Sequence, residues 1–220
     1  PRRTVAEYVA ATGVNTIFKL APGHSAGRLA DFARECRAAD VDFMVMPYGN
    51  DYERWDAKAY AAAIAAHPEV KGTSATNSWE RGTLCPSQSF ALSLIADHVG
   101  EILDQSAADG LYATFWDHYG LFCQFPTCRA NGMNTFSNEL AACVSAYAAA
   151  AQKRGKPLVV RTWASGCPHW LGDKYVHAPG YGPEATPSAT WGHCFAAVPA
   201  SVIFQPKVYN CDCEPNAPLS

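Results

Sequence analysis

The sequence predicts an α/β fold: a (β/α)8 TIM barrel, present here as a fragment of about six βα units against the eight of a closed barrel. Three observations predict it. Helical and strand periodicities alternate along the chain, which is the pattern of βαβ units and a parallel sheet. Strands such as VDFMVM at 41–46 are apolar almost without a break, as in a sheet covered on both faces. The last two apolar runs each end in polar and aromatic residues, and a barrel builds its active site at its strand C-termini. A doubly wound sheet is the structural alternative. Its Gly-rich phosphate fingerprint is missing after the first strand, where APGHSAG supplies Gly23 and Gly27 without the GxGxxG spacing.

The elements follow in order. Residues 3–12 (RTVAEYVAAT) have helical periodicity and stop at Gly13, a natural C-cap. VNTIFKL at 14–20 is a strand broken by Pro22 and Gly23. GRLADFARECRAAD at 27–40 is an amphipathic helix, and VDFMVMP at 41–47 is an apolar strand stopped by Pro47. Residues 55–67 form a helix that ends before Pro68. EVKGTSATN at 69–77 reads as a weaker strand. Ser87 starts a helix over 88–105, and GLYATFWD at 110–117 is the next strand. A long Ala-rich helix covers 134–154 and ends at Gly155. PLVVRTW at 157–163 and SVIFQPK at 201–207 are the last strands.

The 220 residues suffice for one large core and not obviously for two. The chain starts at Pro1 without Met and stops just after a strand. It reads as a single barrel domain over 1–220, truncated at both ends of a longer protein. A formal net charge of -3 gives no case for nucleic acid or an anionic membrane as partner. The longest apolar run, LAACVSAYAAAA at 140–151, is too short to span a bilayer. Nine cysteines are many for this length. Cys123 and Cys128 could pair or, less in keeping with the missing second CxxC, bind zinc; buried thiols are the plainer use. The histidines His24, His118, His169, His177 and His193 show no HExxH or other metal spacing, so neither a metal nor a cofactor is expected. Cys167 near His169 lacks any nucleophile-elbow motif.

Candidate chemistry sits where strands end. Asp117 follows GLYATFW and would project into the barrel mouth. Trp116 and Tyr119, with His118 between, could desolvate it and raise its pKa, as a general acid needs. The alternative is an Asp that caps the next turn. Asp212 and Glu214 alternate, so on a strand they share one face, and either could activate a water. The alternative is a solvated edge, since Pro215 and Pro218 follow. Arg161 ends an apolar strand, where burial requires a carboxylate partner, either structural or a substrate's. Lys207 can hold an anion. The loop 164–193 is long and rich in aromatics; Trp163, Trp170, Tyr175, Tyr181 and Trp191 could stack on sugar faces or pack the loop. Cations beside carboxylates and aromatics suit an acidic, ring-shaped ligand, and an oligosaccharide bearing a sugar acid fits.

Four stretches carry a family resemblance. NGMNTFSNELAACVSAY precedes KPLVVRTWASG, and FQPKVYNCDCEPNAPLS follows; VNTIFKLAPG lies at 14–23. They resemble the xylan α-glucuronidase family of glycoside hydrolases, family 67, with its DGANMLARAL-like helix, its WRAFVY-like strand, its QIKNGPIDFQVREPVSPLF strand and its INGVVLNNVNA strand. The resemblance implies a (β/α)8 barrel that removes 4-O-methylglucuronate from xylo-oligosaccharides with inversion. It implies that Arg161 and Lys207 bind the carboxylate and that Asp212 is the general base. If the EP pair anchors the alignment instead, Glu214 marks it and Asp212 shifts. The family's general-acid Glu lies in a KADSEG-like turn. Here the turn is TFWDHYG, with Tyr119 at the Glu position, no preceding Lys, and Asp117 matching only the first acid. A non-catalytic carbohydrate-binding barrel, or a hydrolase of another barrel family acting on a different sugar, are the competing readings.

Overall fold

The computed structural model describes residues 4–21, 24–47, 57–71, 84–85, 87–114, 130, 136–163 and 197–207. Its first helix, α1 (Val5–Thr12), is fixed at both ends by local chemistry. Thr4 caps it with its side chain while Glu7 reaches back to the Thr4 backbone, a reciprocal capping box. Gly13 ends it in the left-handed region at φ 67°, where a side chain would be strained. Strand β1 (Thr16–Leu20) follows at once. Helix α2 (Ala26–Ala38) is capped by Ser25 and leads through Asp40 to β2 (Asp42–Met46). Next come α3 (Ala57–Ala66) and a single 3-10 turn over Pro68–Val70. Helix α4 (Ser89–Ser106) leads to β3 (Gly110–Thr114), α5 (Phe136–Gln152) to β4 (Leu158–Trp163), and β5 (Val202–Lys207) ends the described chain.

The five described strands form one sheet in the order β1-β2-β3-β4-β5, and every pairing is parallel. A parallel pair needs a crossover, and crossovers are right-handed with very few exceptions. A strand order without reversal therefore sends each helix back along the same face of the sheet. The packing agrees. Phe43 and Val45 of β2, Leu111 and Ala113 of β3, Leu158 and Val160 of β4, and Val202 of β5 share one strand parity. They join Leu29, Ala33 and Cys36 of α2, Ile95 and Val99 of α4 and Val144 and Tyr147 of α5 in one buried cluster. No reversal of strand order, the feature of a doubly wound sheet, occurs among the described strands.

The opposite parity has a different environment. Phe18 and Ile203 are 47% and 53% exposed there, while Met44 and Tyr112 are buried beside them. Phe18 and Tyr112 stack with centroids 4.2 Å apart. Gly110 makes this packing possible. A Cβ on it would lie 2.8 Å from Met44 Cε, 2.8 Å from Pro157 Cγ and 2.9 Å from the Pro157 carbonyl oxygen.

One sequence expectation needs correction. The first residues of the strand expected at 69–77 are not extended in the sheet: they belong to the 3-10 turn, and β2 pairs directly with β3 through Met44↔Gly110 and Val45↔Leu111. Pro68 opens the 3-10 turn, its missing N–H costing nothing at a helix start. Lys71 then makes one isolated antiparallel bridge to Leu84, and 72–77 lie outside the described residues. The start of α4 also differs: Gln88 stands at the N-cap without a side-chain hydrogen bond, in place of Ser87.

Polar staples hold the N-terminal end of the sheet. The Asp109 backbone N–H donates to the Phe43 carbonyl at 2.7 Å, and its carboxylate accepts from the Phe43 N–H at 3.1 Å. Arg37 lies 3.8 Å from the same carboxylate and donates to the Ala107 carbonyl. Arg154, after α5, forks onto Asp104 of α4 at 2.7 and 2.8 Å, and lies against the open side of Gly100. The Asp104 carboxyl is held below its ordinary value by this guanidinium. Among the described residues no helix is long and apolar enough to cross a membrane.

Two glycine substitutions should move stability in opposite directions. Gly110→Ala forces its methyl against Met44 and the Pro157 backbone and should cost about 1–3 kcal/mol. Gly27→Ala, with nothing within 4 Å of the new methyl in the first turn of α2, should stabilise by about 0.5 kcal/mol. Urea denaturation of both variants measures this. A neutral Gly110→Ala would mean that β3 is not held against Pro157 as described.

Candidate functional site

The C-terminal strand ends place several predicted residues on adjacent strands. In β4, the apolar run Leu158–Val160 is followed by Arg161, Thr162 and Trp163. In β5, Val202–Phe204 is followed by Gln205, Pro206 and Lys207. The register sets Arg161 opposite Gln205 and Trp163 opposite Lys207. Arg161, Trp163, Gln205 and Lys207 share the strand parity of Val159 and Ile203 rather than that of the helix-packed core. Strand rise and spacing put the Cα atoms of Arg161 and Lys207 on the order of 8 Å apart. On the neighbouring strand, Thr114 is the partner of Arg161.

A cleft of about 610 Å³ opens on the same face. Phe18, Met44, Tyr112, Val159, Ile203 and Gln205 line it, and Gly13 to Thr16 close its N-terminal end. Its floor is thus mainly apolar, and its polar boundary is at Gln205. Three of the predicted residues, Arg161, Trp163 and Lys207, are brought together by the register. The others, Trp116, Asp117, His118, Tyr119, Trp170, Asp212 and Glu214, lie outside the described residues. Asp117 follows the end of β3 by three positions and Asp212 follows the end of β5 by five.

His24 adds a group that sequence reasoning left among the scattered histidines. It stands between β1 and α2, its backbone N–H donating to the Ala21 carbonyl at 3.1 Å. Its Nδ1 is buried without a hydrogen-bond partner. Burial, reinforced by the Lys19 and Arg28 cations, holds the imidazole below its usual value of 6.5. Lys19 itself rests over the Phe32 ring at 4.3 Å, on the helix side of the sheet.

Cys36, Cys85 and Cys143 are free and buried. Burial, followed by Glu35 and Asp109, pushes the Cys36 thiol up to about 11. Such a thiol is a core apolar group and not a nucleophile at neutral pH. Cys123, Cys128, Cys211 and Cys213 lie outside the described residues. Among the described residues no group of three or more His, Cys, Asp or Glu is placed to hold a metal ion.

The sequence matches no protein-family model and no curated protein. Solved structures do match. An α-L-fucosidase isoenzyme 2 from Paenibacillus thiaminolyticus is 16% identical over 76% of this chain and 30% of its own, with a TM-score of 0.44. A GH20 exo-β-N-acetylglucosaminidase from Vibrio harveyi, in complex with N-acetylglucosamine, is 14% identical over 83% of this chain and 28% of its own, with a TM-score of 0.45. A GH20 β-N-acetylhexosaminidase from Streptomyces coelicolor A3(2) is 13% identical over 91% and 38%, with a TM-score of 0.40. The chain spans well under half the length of each. Likenesses of this extent carry no argument for substrate or chemistry.

Two measurements probe these groups. The His24 imidazole should titrate with an NMR midpoint below 6.5. A base with a lowered folded-state pKa gives stability that is complete above the unfolded value and is lost as pH falls through the folded one. His24→Gln should therefore flatten the fall in Tm on acidification below about pH 6.5. A midpoint above 6.5 would contradict the described surroundings. Separately, iodoacetamide at neutral pH should leave Cys36 unmodified in the native protein and modify it in urea.

Proposed function

We propose that this chain is part of a (β/α)8-barrel glycoside hydrolase, α-glucuronidase-like, that hydrolyses a uronic-acid-bearing, xylan-derived oligosaccharide with inversion. The observation that carries this reading is the register of β4 and β5. It puts an arginine and a lysine diagonally across the C-terminal ends of adjacent strands, with Trp163 as the direct register partner of Lys207. Two like charges held close on adjacent strands repel each other unless an anion sits between them. A carboxylate meets a guanidinium in a two-bond fork and accepts a further bond from an ammonium. Barrel closure is supported by the strand order, by the one-sided helices and by the exposed Phe18 and Ile203 on the face that a closed barrel would turn inward.

In this mechanism Arg161 and Lys207 hold the sugar carboxylate, and Trp163, Trp116 and Trp170 stack on sugar faces. Asp117 donates its proton to the glycosidic oxygen as that bond breaks. Asp212, or Glu214 in the other alignment, takes a proton from a water that attacks the anomeric carbon from the opposite side. The acid and base carboxyls then stand about 6.5–9.5 Å apart, leaving room for that water. His118 and Tyr119 border the acid. The presence of Tyr119 where the resembled family has its acid Glu favours one competing reading, a barrel that binds carbohydrate without turning it over.

Arg161→Ala should lower kcat/KM on uronic-acid substrates by about 10- to 100-fold, the value of a charge-assisted fork, and should leave neutral-sugar substrates much less affected. Equal losses on both would make Arg161 structural. Asp117→Asn should spare substrates with very good leaving groups, which need little protonation, while Asp212→Asn should not. If both variants keep full rates on natural and activated substrates, neither residue is catalytic. A protein that binds the oligosaccharide with no turnover before or after substitution is the binding barrel.

A further inference from the structure

We draw no further inference here: the strongest candidate, the apolar cleft on the open face of the sheet lined by Phe18, Met44, Tyr112, Val159 and Ile203, is an unpartnered face, and nothing in the structure shows what covers it.

Discussion

A parallel sheet whose strands follow one another in chain order must return every crossover along the same face. The rest of the described structure follows from that constraint. The helices α2, α4 and α5 crowd one side, and their small residues let them approach closely: Ala33 and Cys36 on α2, Ala91 on α4, and Ala148 and Ala151 on α5. Tyr147, fully buried among them, fills the volume that so many alanines leave. Among the described residues, no helix packs on the other side of the sheet. Its side chains meet each other, as Phe18 meets Tyr112, or stand open, as Ile203 does. Closing the sheet on itself is the solution that covers such a face without reversing the strand order.

The same constraint divides work between the two ends of the strands. At the N-terminal end the connections are short and tied down. Asp109 is bound through both its backbone and its carboxylate to Phe43, Leu111 N–H donates to the Pro157 carbonyl, and Gly110 leaves no room for a side chain. The ion pairs there are partly exposed and contribute little individually. Their value is geometric, since a strand that slipped by one residue would exchange its buried and open faces. Register is therefore secured at the N-terminal ends of the strands. It is expressed at the far end, where Arg161, Gln205 and Lys207 take positions that the staples below have already set.

Much of this was legible in the sequence, for identifiable reasons. Gly13 ends α1 because only a residue without a Cβ enters the left-handed region cheaply. The apolar run 43–45 forms β2 because continuous burial needs no alternation, and the strands around 16–20, 110–114, 158–163 and 202–207 lie within the expected segments. The start of the segment 69–77 misled because Val70 and Lys71 look extended in isolation. Their placement was decided by Pro68 and by the direct contact of β2 with β3, a tertiary fact. Within the site, Arg161 and Lys207 stood out as charges ending apolar runs. Gln205 stood out with them as a polar end of the last apolar run, whereas Thr114 did not, because a hydroxyl near a strand end is unremarkable alone. Which of these residues stand opposite one another comes from register, and register relates strands that are more than forty residues apart in sequence.

The change of chemistry along β4 and β5 then becomes the most economical account of the site. An apolar row, a hydrogen-bonding row and a row holding Trp163 beside Lys207 succeed one another at intervals of two residues on adjoining strands. Composition alone would not produce that succession at matching levels. Polar groups taken out of water are unfavourable for folding unless something satisfies them. In the proposed reading, an anionic sugar would supply the countercharge for Arg161 and Lys207 and an apolar face for a tryptophan. The layered register thus sets the apolar rows that stabilise the sheet directly beneath the polar positions at the C-terminal ends of β4 and β5.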